Sequence, residues 1–411
     1  MKNLILLFLT FTLLYSCSNE DREDEISRKR DLQVFSNDGF NRFSDGLASK
    51  NFLLNADGSM TIVGNTRVLQ ANITVQPFIL NLDFEKNVSW TETLIVDNEN
   101  LSRDVNIIPT QDGQFMVLTH ANSQGNSNLN IELLKVGTDG NLRWVKTIEQ
   151  SGDFRTSSII QLENGDYIVM GRLAEVSLLN SDQFLLVRIS ENGDIVWSKI
   201  YDDSRILATK QLFYISSDNS IIALTEHSFG DFLTDNEYKI HKFSEDGNKI
   251  WTKSIAIAKE PFSSSSLLKV IDGEEVFLSY SSKDERENIH DITLIKLDLE
   301  ANIIWKKIFK GASTDLPEDI LRSDDENLIL LSSTYSCGNG EVDIMLTKIN
   351  PSNQEIIWDK VYGSPSADFG NKILVRPNGN IIILGDTNHQ NPSEAILDFL
   401  ILETDPEGNP I

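Results

Sequence analysis

The sequence is short of cysteine, of basic residues and of long apolar runs. Only two of its 411 residues are cysteines, Cys17 and Cys337, which excludes a small fold stabilised by several disulfide bonds. The apolar run near its N-terminus, residues 4–14, is too short to span a bilayer. Its 36 Lys and Arg are outnumbered by 62 Asp and Glu, and the net charge of −26 repels phosphate groups, so no nucleic-acid partner is expected.

The N-terminus has the pattern of an export signal. Residues 4–14 follow Lys2, and a Leu-Tyr-Ser-Cys motif ending at Cys17 comes directly after them. This arrangement predicts a cleaved signal peptide over residues 1–16. The Leu-x-Ser-Cys motif resembles the lipobox of bacterial lipoproteins, which implies that Cys17 starts the mature chain and carries lipid such as palmitate. Cys337 then has no intrachain partner, so no disulfide is expected and the fold must depend on packing.

A charged segment follows the expected lipid site. Residues 17–30 include the run Ser-Asn-Glu-Asp-Arg-Glu-Asp-Glu, which buries too little apolar surface to fold and is expected to be a flexible acidic tether. The run is either a plain spacer or, by resemblance, the surface-export signal of lipoproteins in the Bacteroides and Flavobacterium group. The protein is therefore expected at the outer membrane, held only by its lipid anchor. Whether it faces the periplasm or the cell surface stays open.

The six tryptophans are evenly spaced along the chain. They are Trp90, Trp144, Trp197, Trp251, Trp305 and Trp358, with steps of 54, 53, 54, 54 and 53 residues. A period of this length is typical of a solenoid, propeller or array, in which each unit buries its apolar faces against its neighbours. The tryptophans are therefore interpreted as structural repeat positions.

Each repeat unit contains four apolar runs of strand length and shows no helical periodicity. In residues 157–201 the first turn is Glu-Asn-Gly-Asp, a long polar loop follows, and Asn192-Gly193 forms the last turn. Asn-Gly and Asp-Gly favour two-residue type I′ turns, which indicate antiparallel pairing. Seven such units follow one another. We therefore predict an all-β fold, a seven-bladed β-propeller of four-stranded antiparallel blades, over residues 31–411.

The last unit lacks a fourth strand, because the chain stops at Ile411 before the position of a further tryptophan. Residues 31–37 lie just upstream of the first unit, close to the place where a fourth strand is due. Propellers usually close by mixing the two termini in one blade. We predict that residues 31–37 pair with residues 398–404, the third strand of the last unit, and complete that blade.

The hairpin turns also fix the register of the third and fourth strands. Counting outward from each turn places a basic residue opposite a tryptophan in five units: Lys135 and Trp144, Arg188 and Trp197, Lys242 and Trp251, Lys296 and Trp305, and Lys348 and Trp358. The basic stem is expected to lie on the ring and the charge to meet the π face. Because the pattern belongs to every blade alike, we interpret it as packing and not as a ligand ladder.

The Gly-x-x-x-Trp spacing resembles the tryptophan-docking repeats of the quinoprotein-dehydrogenase-like superfamily. Those enzymes typically have eight blades, shorter repeats, a quinone cofactor and a bound calcium. This chain has seven longer units and no cysteine pair, so no catalytic residue and no cofactor is carried over. The lipoprotein that assists outer-membrane barrel assembly resembles the same design, although it too normally has eight blades.

No motif identifies a catalytic or metal site. The five histidines, His120, His227, His241, His290 and His389, are assigned to different units, lack short metal spacings and are interpreted as scattered surface residues. The Asp-Gly turns lack the ligand run of an EF-hand. The sequence also has no Gly-x-Ser-x-Gly elbow, phosphate loop or sialidase-like box. We therefore predict no catalytic residue, no metal and no cofactor.

A candidate binding face is predicted at the end of the blades where the long loops cluster. The second strand of each unit is expected to end at a small residue: Gly64, Thr119, Gly171, Thr225, Ser279, Ser332 or Gly385. The next positions differ in every unit and are Asn65, His120, Arg172, Glu226, Tyr280, Ser333 and Asp386. Either loops simply tolerate variation there, or these side chains, with Asp153, Arg155 and Asp368 on adjoining loops, form a recognition ring that is free of packing constraints.

The main functional expectation is a lipid-anchored, monomeric, non-catalytic propeller that binds or scaffolds a protein or glycan through its long-loop face. The alternative is a hydrolase or lyase acting on polysaccharide from the same face. A further alternative is an outer-membrane assembly factor. The sequence does not identify the ligand, because fold alone does not determine function.

Overall fold

The computed structural model describes residues 33–35, 51–69, 73–94, 105–122, 129–148, 153–174, 183–203, 205–229, 234–261, 266–283, 289–338, 340–365, 367–387 and 398–411. Cys17, His389, the signal peptide and the tether lie outside this part. The described residues form 28 β-strands in seven four-stranded antiparallel sheets. Within these ranges, no helix has the length and hydropathy needed to cross a membrane.

The first three blades are formed by consecutive strands. Blade 1 contains β2 (Asn51–Leu54), β3 (Met60–Leu69), β4 (Ile73–Leu82) and β5 (Val88–Thr93). Blade 2 contains β6 (Asn106–Pro109), β7 (Phe115–Asn122), β8 (Leu129–Val136) and β9 (Leu142–Ile148). Blade 3 contains β10 (Asp153–Gln161), β11 (Tyr167–Ala174), β12 (Gln183–Ile189) and β13 (Ile195–Asp202).

Blades 4 to 6 follow the same order. Blade 4 contains β14 (Ile206–Ile215), β15 (Ser220–Phe229), β16 (Asp235–Ser244) and β17 (Lys249–Ala258). Blade 5 contains β18 (Ser266–Ile271), β19 (Glu275–Lys283), β20 (His290–Leu297) and β21 (Ile303–Phe309). Blade 6 contains β22 (Asp315–Arg322), β23 (Leu328–Thr334), β24 (Asp343–Ile349) and β25 (Ile356–Tyr362).

Blade 7 combines both ends of the chain. It contains β26 (Asp368–Val375), β27 (Ile381–Thr387), β28 (Asp398–Thr404) and, as its fourth strand, β1 (Gln33–Phe35). The strand β1 is antiparallel to β28, with Val34 opposite Leu400. The predicted seven-bladed propeller and its closure by the N-terminal strand are therefore confirmed.

The tight turns differ from the predicted type. In the turn before Trp144, Gly140 N donates to Gly137 O over 3.0 Å, and Gly137 N donates to Asn141 O. Gly140 has a φ of +80°, whereas Asp139 is not among the residues with positive φ. This is a three-residue loop closed by a glycine bulge, and not the two-residue type I′ turn. Because the bulge adds one residue to one strand, Lys135 still faces Trp144 as predicted.

Seven apolar clusters hold the propeller together, and each takes residues from two adjacent blades. Between blades 3 and 4, for example, the rings of Phe184 and Phe243 lie 6.1 Å apart. The cluster that contains Phe52 of blade 1 and Ile401 of blade 7 closes the circle. The large apolar clusters of the described residues therefore form where neighbouring blades meet.

Four tryptophans, Trp90, Trp144, Trp197 and Trp358, dock on a turn glycine of the next blade. A Cβ at Gly140 would lie 2.6 Å from Trp90, and one at Gly247 would lie 2.7 Å from Trp197. Glycine is thus required both for its positive φ and for this close approach. Two residues after Trp197, Lys199 Nζ donates to Asp246 O in the same turn of the next blade. These contacts join the outer strands of neighbouring blades.

All five predicted pairs of a basic residue and a tryptophan have the expected register. The expected contact with the π face is found among the described pairs only for Lys348, whose Nζ lies 5.9 Å from the Trp358 centroid. The basic groups instead pair with carboxylates of the turn between the first two strands: Lys135 with Asp112, Arg188 with Asp166, Lys242 with Asp218, Lys296 with Glu275 and Lys348 with Asp325. Coulomb attraction between partly buried ions therefore outweighs the weaker cation–π contact.

The first strand of each blade lies next to the axis, in contact with the first strands on either side. A closed series of polar contacts, the inner hydrogen-bond ring, connects all seven. Its members are Asn51 Nδ2 to Asn106 Oδ1, Asn106 Nδ2 to Ser157 O, Leu212 N to Ser158 Oγ, Leu268 N to Gln211 Oε1, Lys269 Nζ to Asp319 Oδ1, Ile373 N to Asp319 Oδ2 and Lys372 Nζ to Asn51 Oδ1. The apolar clusters and this ring position the loops at either end.

Candidate functional site

The seven predicted recognition positions lie inside strands and not in loops. Asn65, His120, Arg172, Glu226, Tyr280, Ser333 and Asp386 all belong to the second strands of their blades. Asp153, Arg155 and Asp368 likewise belong to first strands, not to the connecting loops. The expectation that each second strand ends at the small residue is therefore wrong, because pairing with the third strand continues past it.

Four of these side chains are almost fully buried. Glu226 and Ser333 are 0% exposed, Tyr280 is 2% exposed and Asp386 is 5% exposed. Tyr280 packs with its ring centroid 5.0 Å from that of Tyr238. Arg172 is half-buried, and the side chains of Asn65, His120, Asp153 and Arg155 lie outside the described part. The buried members are held by packing, which corrects the expectation that the ring is released from it.

The polar members among them tie strands together. Lys210 Nζ lies 2.9 Å from Glu226 Oε2, and Asn371 Nδ2 donates to Asp386 Oδ2 over 2.8 Å. Ser333 Oγ accepts a hydrogen bond from Gly370 N of the next blade. Each contact joins a second strand to a first strand. Binding by these positions stays a prediction, but their described contacts are structural.

Buried aspartates at the long-loop end also have structural contacts. Asp368, which is 0% exposed, accepts from Ser364 N of the connection that precedes it. Its counterpart in blade 6, Asp315, accepts from Thr334 Oγ1 and Ser336 Oγ at 2.6 and 2.9 Å. Burial, and the nearby charge of Asp291 to a lesser degree, raise the pKa of Asp315 to about 6. Because blades 6 and 7 repeat the arrangement, it belongs to the fold.

Blade 4 departs from the repeat at the same end. Its histidine cluster consists of Asp203, Thr225, His227, Lys239 and His241. His241 directly precedes the residue that faces the tryptophan, a position occupied in other blades by Leu80, Leu134, Val187, Ile295 and Thr347. A buried imidazole therefore replaces a side chain that is aliphatic in four of those five blades, within the interface to blade 3.

The two imidazoles of the cluster converge on one hydroxyl. Thr225 Oγ1 lies 2.8 Å from His227 Nε2 and 2.7 Å from His241 Nε2. The carboxylate atom Asp203 Oδ2 lies 3.8 and 3.9 Å from the same two nitrogens. On the far side of its ring, His241 Nδ1 lies 2.9 Å from Thr252 Oγ1. The cluster is thus built by β15, β16, β17 and the connection between β13 and β14.

Charges surround the cluster on its solvent side. Lys239 Nζ lies 3.0 Å from Asp203 Oδ1 and 3.6 Å from Glu237 Oε2. The side chains of Asp203 and Lys239 are 16% and 19% exposed, whereas both imidazoles are buried. Burial, opposed by the charge of Asp203, lowers the pKa of His241 to about 3. His241 is therefore neutral at physiological pH.

The interpretation of the histidines as scattered surface residues is wrong for this pair. His227 and His241 belong to one blade, on neighbouring strands, and are 1% and 0% exposed. His290, by contrast, is half-buried, with Nε2 2.9 Å from Glu260 O. One signal in the sequence could have identified this cluster. In the fourth unit, polar residues replace those of the repeat at positions that lie on one face of the paired strands, namely Thr225, His227, Lys239 and His241.

Arg172 connects this cluster to blade 3. Its guanidinium donates to Leu207 O, at the start of β14, over 2.9 Å. Asp203, a member of the histidine cluster, lies in the connection just before β14, so Arg172 contacts the strand that follows it. Arg172 and the histidine cluster thus bring non-repeating polar side chains to the junction of blades 3 and 4.

Cys337 does not match the expectation of an unpaired residue. It is disulfide-bonded, and the described residues include no free cysteine. Its side chain is 8% exposed and packs with Met345 and Val361. The partner lies outside the described residues. The expectation that the chain contains no disulfide is therefore wrong in this structure.

No protein-family model matches the chain, and no curated protein matches it in sequence. Solved structures that resemble it include the S511A mutant of puromycin hydrolase, at 12% identity and a TM-score of 0.58 over 89% of this chain and 53% of that one. An ulvan lyase of polysaccharide lyase family 25 has 8% identity and a TM-score of 0.57 over 92% and 97%. The propeller domain of the trilobed protease from Pyrococcus furiosus has 11% identity and a TM-score of 0.51 over 89% and 96%.

These resemblances correct the main functional expectation. The similar propellers include a hydrolase and a polysaccharide lyase, which favours an enzyme on a propeller scaffold over a non-catalytic binding scaffold. The chain spans about half the length of the puromycin hydrolase chains that it matches, but nearly all of the lyase. At such low identity the likeness shows the fold alone, and the activity of this chain is a matter of proposal.

Proposed function

We propose that the protein is a polysaccharide lyase that cleaves a uronic acid-containing chain at the long-loop end of blades 3 and 4. The observation that carries the proposal is the concentration of Arg172, Lys239 and the histidine cluster there, in a blade that departs from the repeat. The fold likeness to the ulvan lyase, whose structure holds a GlcA(1-4)Rha3S unit, supports the substrate class. That enzyme is matched over almost its whole length.

The chemistry explains why cationic groups are needed. In β-elimination a base removes the proton at C5 of the uronate, the bond from C4 to the glycosidic oxygen breaks, and a C4=C5 double bond forms. The leaving oxygen takes up a proton. Negative charge develops on the uronate carboxylate, so a cation beside it stabilises the transition state. Arg172 and Lys239 are assigned this role, because one is permanently charged and the other is partly exposed.

The buried imidazoles are not assigned contact with the sugar. His227 and His241 are 1% and 0% exposed, so a polysaccharide has no access to their ring atoms in this arrangement. Asp203, at 16% exposure, lies between them and solvent. Their part is to hold Asp203 and, through it, Lys239 at the surface of the site.

The test is an activity assay with the full chain. A polymer of GlcA(1-4)Rha3S units, an unsulfated polyuronate and a neutral glucan are incubated with the protein. Ultraviolet absorbance then reports the C4=C5 double bond, and a separate assay reports reducing ends. A lyase gives both signals on a uronate polymer, a hydrolase gives reducing ends alone, and neither signal on any polymer rejects the proposal.

Matched variants locate the site. Arg172→Ala is expected to lower kcat/KM about tenfold or more, the effect of losing one charge-assisted hydrogen bond. Lys306→Ala removes an exposed charge from the outer strand β21 of blade 5 and is the control. Equal activity of the two variants would place the active site elsewhere on the propeller.

We also propose that the enzyme works at the outer membrane as a monomer anchored through Cys17. The support is the lipobox-like motif in the sequence. A relation to the quinoprotein-dehydrogenase-like superfamily is likewise a proposal. Its support is the docking of Trp90 and Trp197, among others, on a turn glycine of the next blade.

A further inference from the structure

Three side chains of blade 4 present potential metal ligands to one point. The carboxylate of Asp203 and the ring nitrogens of His227 and His241 offer one ligand atom each, all within 4.8 Å of one another. Two imidazoles and a carboxylate are a donor set that transition metals, and zinc in particular, bind in proteins. This grouping is independent of the polysaccharide proposal.

The distances are close to those of a tetrahedral zinc site. With bonds of about 2.1 Å to zinc, ligand atoms of a tetrahedral site lie about 3.4 Å apart. Asp203 Oδ2 lies 3.8 and 3.9 Å from the two Nε2 atoms, so a shift of about half an ångström would bring it to tetrahedral spacing from both nitrogens. Asp203 lies in a connection and not in a strand, where such a shift disturbs no ladder of hydrogen bonds.

Hydrogen bonding orients the imidazoles toward this point. Thr225 Oγ1 lies within 2.8 Å of both Nε2 atoms, so both rings turn these atoms toward one point. A cation can take lone pairs from both nitrogens at once. His241 Nδ1 lies 2.9 Å from Thr252 Oγ1, the outer contact that fixes ring orientation in metal-binding histidines.

The surroundings favour an ion over a purely structural polar cluster. The ring of His241 packs against both Phe184 and Phe243, with centroids at 5.0 and 6.0 Å, in an interface with a large apolar cluster. Placing two imidazoles there costs free energy unless their polar atoms gain strong partners. Asp203 brings a negative charge to the point where the two imidazoles meet, and Glu237 lies 3.6 Å from the Lys239 ammonium beside it.

We infer that the histidine cluster is a binding site for a divalent transition metal, best matched by Zn²⁺, with Asp203 Oδ2, His227 Nε2 and His241 Nε2 as its ligands. Thr252 is a positioning residue that holds His241. Water completes the coordination on the exposed side, where Asp203 reaches solvent. Lys239 holds the other oxygen of the Asp203 carboxylate.

The experiment measures metal binding without any polysaccharide. Full chain lacking an affinity tag is stripped with chelator, titrated with Zn²⁺ by calorimetry, and analysed for metal content after desalting. We expect one zinc per chain. Asp203→Asn should weaken affinity at least about tenfold, and Thr252→Val, which keeps the side-chain shape, should weaken it about 10- to 100-fold. Cobalt substitution should give the visible absorption of a tetrahedral site.

Two variants are matched controls. Asp202→Asn changes the neighbouring exposed carboxylate, and His290→Gln removes a half-buried imidazole from blade 5, so both should bind zinc like the wild type. His241→Gln should abolish stoichiometric binding, with circular dichroism confirming that it is folded. No binding by the wild type, or wild-type affinity in Asp203→Asn and Thr252→Val together, overturns the inference whatever the outcome of the polysaccharide assay.

Discussion

Lys372 of blade 7 donates a hydrogen bond from Nζ to Asn51 Oδ1 of blade 1 over 3.0 Å. This contact closes the inner hydrogen-bond ring between residues that are 321 positions apart in sequence. Desolvation lowers the pKa of Lys372 to about 8, although the charge of Asp319 partly opposes the shift. The ring therefore contains a lysine that is retained at an energetic cost, which indicates that the contact matters for closure.

Replacement of Lys372 by methionine tests the closure of the ring. The variant keeps most of the side-chain volume but leaves Asn51 Oδ1 without its donor. We expect the free energy of unfolding to fall by about 1–3 kcal/mol, as measured in urea. Lys306→Met, at an exposed position of β21, should change it by less than about 0.5 kcal/mol. Equal stability of the two variants would show that the contact adds nothing.

Gly247→Ala tests the docking of Trp197. Gly247 has a φ of +72°, and an added Cβ would lie 2.7 Å from the indole. Gly273 has a similar φ of +70° with nothing within 4 Å, so Gly273→Ala isolates the backbone cost of about 1–2 kcal/mol. We expect Gly247→Ala to be less stable than this control by a further 1–3 kcal/mol, roughly the usual effect of overpacking. Equal losses would argue against a tight tryptophan contact.

Asp315→Asn tests the pH dependence that burial imposes. The pKa of Asp315 is raised in the folded state to about 6, so the folded state binds more protons than the unfolded state between about pH 4 and 6. The stability that wild-type Asp315 contributes is therefore present below pH 4 and lost as pH rises through 6. Relative to wild type, the variant should gain roughly 3 kcal/mol between pH 4 and 7.5.

Urea unfolding of both proteins at the two pH values measures this difference. Asp324→Asn changes an exposed carboxyl in the next turn and should show no such trend. A constant difference between Asp315→Asn and wild type would mean that Asp315 is ionised in the folded state throughout the range.

Tyr280→Ala should unfold more easily than the wild type, because Tyr280 is 2% exposed and packs on Tyr238. Removing a buried aromatic ring costs about 3–5 kcal/mol. Tyr335→Ala, at 36% exposure, is the matched control and should lose much less. Thermal unfolding distinguishes the two. An unchanged melting temperature for Tyr280→Ala would instead agree with the original expectation of a recognition ring free of packing.

Mass spectrometry of the protein from its own membranes tests the lipid anchor. We expect Cys17 to be the mature N-terminus and to carry lipid on its sulfur, and Cys17→Ser to leave the membrane. A sulfur that carries lipid cannot also form a disulfide. Because Cys17 is the only cysteine besides Cys337, a lipid on Cys17 and the disulfide of Cys337 exclude each other, and the same spectra show which of the two is present. An unmodified Cys17, or a membrane-bound Cys17→Ser protein, would rule the anchor out.

The fold could be predicted because the same packing contact between neighbouring blades recurs along the chain. Trp144 and Trp197 recur at a fixed interval since each must meet a glycine turn one blade further on. The closure by β1 followed from counting strands, and the register of Lys135 followed from counting outward from a turn. The type of turn could not be inferred in the same way, because a bulge and a type I′ turn give the same register there.

The site was less predictable, because strand ends depend on partners that are distant in sequence. The second strand of blade 4 continues through Glu226 to Phe229 because β16 supplies partners for it as far as Asp235. Composition gives no sign of that pairing. The proximity of His227 and His241 to Asp203 likewise depends on the packing of blade 4 against blade 3. The sequence feature that could have indicated this cluster is the deviation of the fourth unit from the repeat.

The pairing of β1 with β28 also determines when the protein can be completed. Until β1 meets β28, blade 7 has an unpaired strand edge. Contacts of such high sequence separation form slowly, so this blade is expected to close late in folding. The open edge is the state from which neighbouring molecules would exchange strands.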